Sequence, residues 1–209
     1  MKFVLLAVLF ILILAYMLYS KSDCAVLERI PYKDGTTITI VNDSCSEGLP
    51  HTTNAHTIIM PLGAWNSTRR EETLRHELVH IRQRRDSALW FEFYRTEWNY
   101  EPIALPPELV SIQIRPNPDT ADKPYMLWRN KWLFLPIYRE DHSLKNAIVR
   151  VYDIHERRFT EVPPEWTAFF LPRLHQIEHP HEISAELLTS RRICDASSKL
   201  YAFFDKNYN

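Results

Sequence analysis

The sequence predicts an α+β fold in which one amphipathic helix packs on a small antiparallel or mixed sheet and a second helix lies near the C-terminus. Three observations carry this expectation. β-Branched runs at Thr36-Thr37-Ile38-Thr39-Ile40-Val41 and at His56-Thr57-Ile58-Ile59-Met60 read as strands. Leu74, Leu78 and Ile81 recur at helical spacing and give residues 69–84 one apolar stripe to bury. Three glycines against 14 prolines leave few tight hairpins and many Pro-bounded connections, so helices and short strands are joined by stiff loops.

Taken in order, the chain begins with 17 apolar or aromatic residues, Phe3 to Tyr19, without a charge. At 1.5 Å per residue such a run reaches about 25 Å as a helix, close to a bilayer core. It reads as a signal anchor over residues 1–22, with a cleaved signal peptide as the alternative because Ser20 and Ser22 suit the small positions before a cleavage site. The expectation is a domain of residues 23–209 held at a membrane through residues 3–19 and lying outside the cytoplasm, or secreted if the signal is cleaved. Cys24 and Cys45 could close one loop in an oxidising compartment, with Cys194 left over.

Thr68 followed by Glu71 matches a capping box and opens a helix over residues 69–84. A second helix is predicted from Ser87 to Glu101, bounded by Pro102, with Leu89, Trp90, Phe93 and Trp98 as packing surface. Pro106 to Pro124 is a Pro-rich connection. It leads into a β-rich insertion at about residues 125–163, with strands at 125–128, 132–138, 147–154 and 158–162 and hairpin turns at 129–131 and 155–157. A last helix from His181 to Phe204 is expected to turn Ile183, Leu187, Leu188 and Ile193 toward a core. With 45% hydrophobic and 24% charged residues the chain can pack a globule, and a net charge of −1 gives no footprint for a nucleic-acid partner.

The chemistry resides in His76-Glu77-Leu78-Val79-His80, an H-E-x-x-H pattern. Residues i and i+4 leave a helix on one face, so two imidazoles can bind one Zn²⁺ at about 2.0–2.1 Å. Glu77, rotated about 100° from His76, can act as general base toward a water that the metal acidifies. A catalytic zinc needs a third protein ligand and an open fourth position. Asp86, six residues after His80, is one candidate, but Gln83 stands where a glycine would have to turn the chain. Glu182, in His179-Pro180-His181-Glu182-Ile183-Ser184-Ala185-Glu186, is the other, and His181 rivals it. His175, His179, His181, Tyr138, Tyr152 and His155 are candidates to polarise a substrate carbonyl.

Together these two elements resemble the gluzincin branch of the zincin metallopeptidases, in which H-E-x-x-H is completed by a glutamate on a downstream helix. An acidic residue four positions later supports one histidine there, and Glu182-Ile183-Ser184-Ala185-Glu186 is similar to that element. The longer text His76 to Gln83 also resembles small, membrane-anchored bacterial zincin-like domains reading H-E-x-x-H-x-x-Q. The resemblance implies a zincin-like fold with the third ligand on a second helix. It also implies zinc on His76, His80 and Glu182, Glu77 as catalytic base, Glu186 orienting His76, and a peptide or protein substrate paired with the strand at residues 56–60. The competing expectation is a catalytically inactive, membrane-tethered binding or structural protein on the same scaffold.

Overall fold

The structure is a computed structural model describing residues 24–139, 146–171 and 174–208. Strands β1 (Val26–Pro31), β2 (Thr37–Val41), β3 (His51–Asn54) and β4 (Thr57–Pro61) form a mixed sheet of order β1-β2-β4-β3. β2 and β4 are the expected β-branched runs. They pair in parallel at the centre of the sheet, while β1 and β3 pair antiparallel on the outside. The expectation that residues 56–60 receive an extended substrate is thereby corrected, because both edges of β4 are already hydrogen-bonded. Cys24 and Cys45 are joined by a disulfide.

A short α1 (Leu62–Trp65) leads into α2 (Arg70–Arg85), the helix of the H-E-x-x-H pattern. Its stripe packs as the periodicity requires: Leu74 and Ile81 are buried against Ile38, Ile40, Ile58 and Met60, with Leu78 beside them. Glu71 and Glu72 in the first turn and Arg82, Arg84 and Arg85 in the last complement the helix dipole. The capping box does not form. Thr68 lies in a turn, the helix starts after Arg69 with no side-chain cap, and Ser67 Oγ accepts the Arg69 amide instead at 3.1 Å.

Helix α3 (Ser87–Trp98) ends short of the predicted Glu101, because Asn99 takes a left-handed conformation with φ 58°. Residues beyond it enter β5 (Tyr100–Ile103), which opens a second sheet with β6 (Tyr125–Trp128), β7 (Trp132–Tyr138), β8 (Ala147–Asp153) and β9 (Arg158–Thr160). Each strand of this sheet is antiparallel to its neighbour. The turn between β6 and β7 takes positive φ at Arg129 (49°) and Asn130 (54°), the geometry that matches strand twist in a tight hairpin even without glycine. Thus the sheet starts 25 residues before the insertion inferred from sequence, which began at 125.

The C-terminal region holds α4 (Pro164–Phe170), α5 (Pro180–Ser190) and α6 (Asp195–Tyr208). The single helix expected over residues 181–204 is two, broken where Arg191 turns left-handed at φ 53°. Ile193 falls in the break and is 82% exposed, so it does not join the core. Ile183 and Leu187 do, in an aromatic core shared by α3, α5, α6 and one face of the second sheet through Trp90, Trp98, Trp128 and Phe134. Such rings are the largest fully buried side chains among the described residues, and the indole of Trp98 satisfies its N–H on the Ala196 carbonyl at 3.2 Å.

Among the described residues no helix is long and apolar enough to cross a membrane. That finding corrects the expected transmembrane helix and the membrane-anchored location drawn from it; the run at residues 3–19 lies outside the described residues.

Candidate metal centre

α2 lies along α5, and three side chains from this pair converge. His76 Nε2 and His80 Nε2 are 3.1 Å apart, and Glu182 Oε2 stands 3.4 Å from each. Ligand atoms placed tetrahedrally about 2.0–2.1 Å from a zinc ion are about 3.3 Å from one another. The triangle therefore has the edges of one face of a zinc tetrahedron. His80 and Glu182 are each 1% exposed at their side chains and His76 is 18% exposed, so the triangle is closed on the protein side and open at His76.

The tautomer of His80 follows from Gln83, one turn further along α2. The Gln83 amide nitrogen donates to the His181 carbonyl at 3.0 Å and to Ser184 Oγ at 2.8 Å. A carbonyl only accepts, so the amide oxygen must point the other way, at His80 Nδ1, 2.7 Å distant. His80 Nδ1 therefore carries a hydrogen, which leaves Nε2 as the nitrogen whose lone pair a metal in the triangle would take. Tyr94 closes the network through its hydroxyl, 2.8 Å from Ser184 Oγ.

Glu77 is 4% exposed and its Oε2 has no hydrogen-bond partner among the described residues. Its carboxylate, His80 and Asp119 form a second close group beside the triangle. Burial first and Asp119 second push Glu77 well above the usual carboxylate range, against the pull of His80. For Glu182 burial acts upward, but His80 and His76 outweigh it and hold the carboxyl well below that range. For His80 burial disfavours the charged form, yet Glu182, Asp119 and Glu77 overcome it and push the imidazole up to about 10. A buried pocket with three carboxylates around two imidazoles calls for positive charge, and with its donor set and edge lengths the site fits a divalent zinc ion.

A cleft of about 530 Å³ opens on this centre, with His76, Glu77 and Glu182 in its wall together with Asn117, Asp119 and His175. Of the sequence-derived candidates, His76, Glu77, His80 and Glu182 are brought together and Asp86 is not. Asp86 accepts a 2.8 Å hydrogen bond from the Tyr208 hydroxyl at the junction of α2 and α3. Glu186 requires a correction. Its carboxylate accepts the amides of His175 and Gln176 at 2.8 and 3.2 Å and stands 3.0 Å from His175 Nδ1, instead of supporting His76. His181 packs its ring against Phe91 and Tyr94 and lies outside the triangle. His179 Nδ1 accepts the His181 amide at the start of α5, and burial pushes the ring down to about 4. Tyr152 donates to Glu108 at 3.1 Å and His155 reaches the Asn130 carbonyl at 2.9 Å. Neither they nor Tyr138 line the cleft.

Sequence reasoning missed Asn117 and Asp119, which the Pro-rich connection delivers to the site. Asn117 Nδ2 donates to Glu182 Oε1 at 2.9 Å, and Asp119 Oδ1 accepts Thr52 Oγ1 at 2.6 Å and the Thr52 amide at 2.8 Å. The second contact caps part of the free edge of β3. The only signal in sequence was an Asn-Pro-Asp turn, which marks a loop and says nothing of its destination. Compared with protein-family models, with curated proteins and with solved structures, the chain matches none.

Proposed function

We propose that this protein is a zinc-dependent hydrolase of peptide bonds, with zinc held by His76, His80 and Glu182 and with Glu77 as general base. The observation that carries the reading is the triangle of Nε2, Nε2 and Oε2, whose edges of 3.1, 3.4 and 3.4 Å match a tetrahedral zinc face on the wall of an open cleft. Bound there, zinc would supply Lewis acidity, making a water acidic near neutral pH and polarising the scissile carbonyl. Glu77, in the cleft wall beside His80, would take that water's proton and return it to the leaving amine. Of the candidates to polarise that carbonyl, His175 is the one in the cleft wall, with its Nδ1 3.0 Å from Glu186, and it would stabilise negative charge on the substrate carbonyl oxygen. Peptide as the substrate class is supported by the likeness of the His76–His80 text to peptidase helices.

Two measurements on the purified protein test this. Metal analysis is expected to give about one zinc per chain, as a single-site enzyme requires. Glu77→Gln, nearly isosteric, is expected to keep the zinc and lower hydrolysis of a fluorogenic peptide mixture by about 10²- to 10⁴-fold. Full activity in that variant would sink the mechanism. A folded wild-type protein that takes up no zinc would favour the inactive binding protein.

A further inference from the structure

We propose that Asn117 is a positioning residue for the metal centre, restricting Glu182 to a single ligating oxygen. The inference rests on the zinc reading above. A glutamate at the end of three rotatable bonds can offer a metal one oxygen or two, and an open fourth position requires that it offer one. Here the two oxygens have different partners: Oε2 faces the histidine pair at 3.4 Å and Oε1 accepts from Asn117 Nδ2 at 2.9 Å.

The amide of Asn117 cannot turn over. Its Oδ1 accepts the Asp119 backbone N–H at 3.0 Å, a contact that an NH₂ group could not make. The NH₂ group is left facing the carboxylates, where it also lies 3.2 Å from Glu178 Oε1. Glu178 is in turn held by Arg115 at 2.7 Å, so Asn117 sits between two buried acidic groups as their shared donor.

Nor can the loop easily withdraw. Arg84, four residues after His80, spends one guanidinium nitrogen on the carbonyls of Pro118 and Asp119 at 3.2 Å each. Its Nε reaches Thr52 Oγ1 at 2.8 Å and its Nη1 the Asp122 carboxylate at 3.0 Å. The helix that carries both histidines thus also fastens the segment that orients the third ligand.

The test is zinc affinity of the whole protein, measured by competition with a chromophoric chelator, with thermal unfolding of the metal-free form alongside. Asn117→Ala is expected to weaken zinc about 10- to 100-fold, as loss of a ligand's outer hydrogen bond usually does. Asn117→Asp keeps the shape and the Oδ1 acceptor but sets a carboxylate against Glu178 and Glu182, and is expected to weaken zinc further. It also carries the test should the alanine variant fail to fold. Affinity within twofold of wild type in the folded variants overturns the inference, as does a lowered metal-free unfolding temperature with unchanged zinc affinity. Absence of zinc from the wild type removes this inference and the proposed function together, whereas zinc in the wild type and an unaffected Asn117 variant removes this inference alone.

Discussion

The two helices that meet at the candidate metal centre carry the same spacing and use it differently. On α2, His76 and His80 stand four residues apart and their Nε2 atoms come within 3.1 Å. On α5, Glu182 and Glu186 are also four apart, yet Glu182 joins the histidines while Glu186 turns to His175 and the amides of residues 175 and 176. An i, i+4 relation puts two side chains on one helix face and does no more. Convergence on a point depends on how the partner helix crosses that face. The two imidazoles are drawn together by a carboxylate from α5, whereas the Glu186 end of α5 faces the open cleft and a segment before the helix.

Removing the convergent carboxylate is the largest break in this comparison. Zinc in a protein site of four ligands is held by about 10–16 kcal/mol, so one ligand contributes about 3–4 kcal/mol, on the order of 10²- to 10³-fold in affinity. Glu182→Ala is expected to lose zinc by that amount in a chelator competition. Asp86→Ala should keep it, because Asp86 serves Tyr208. The opposite ranking would place the third ligand on α2 and end the two-helix reading of the site.

A smaller effect separates the side chain that orients a histidine from the one expected to do so. Gln83 fixes the tautomer of His80 through a 2.7 Å contact, so Gln83→Ala is expected to weaken zinc about 10- to 100-fold. Glu186→Ala should leave zinc within twofold of wild type and instead lower kcat in peptide hydrolysis by about tenfold, through His175. Since both residues act through one ring, the Glu186→Ala/His175→Ala double variant should be no slower than His175→Ala alone. Zinc loss in the Glu186 variant would restore the support of His76 that sequence spacing had suggested.

These outcomes bear on what a sequence can reveal of such a site. His76, Glu77 and His80 were legible because their relation is local: a helix with an apolar stripe at Leu74, Leu78 and Ile81 turns a four-residue interval into a common face. Glu182 was legible only with the added resemblance of its own helix text. Asn117 and Asp119 were not, since their approach depends on Arg84 and Thr52, more than thirty positions away in the chain. Of the fold, the strongly β-branched β2 and β4 were read correctly, while β3 was missed because His51-Thr52-Thr53-Asn54 is short and polar. The first half of β5, Tyr100 and Glu101, was absorbed into a predicted helix because aromatic residues at 98 and 100 pack a core equally well from helix or strand. The left-handed residues Asn99 and Arg191, which end α3 and α5, have no apolar pattern to announce them.

The smallest effect concerns what Asp86 does away from the candidate metal centre. The Tyr208 hydroxyl donates to Asp86 Oδ2 at 2.8 Å and accepts the Trp90 indole N–H at 2.9 Å, so one oxygen ties the end of α6 to the α2–α3 junction. Trp90 is 0% exposed, and without that oxygen its N–H has no water to turn to. Leaving one buried donor unsatisfied costs about 1–3 kcal/mol. Tyr208→Phe keeps the ring that stacks on Trp90 and the face under Arg82, and removes only the hydroxyl. The variant is expected to unfold at a temperature lower by a few degrees, since about 1 kcal/mol moves the midpoint of a protein this size by roughly 2–4 °C. Its zinc affinity should match the wild type, because among the described residues no hydrogen bond of the Tyr208–Asp86–Trp90 relay reaches His76, His80 or Glu182. If zinc affinity fell with the hydroxyl, Asp86 would be coupled to the metal after all, and the contrast between a ligand on α5 and a purely structural acid after α2 would fail.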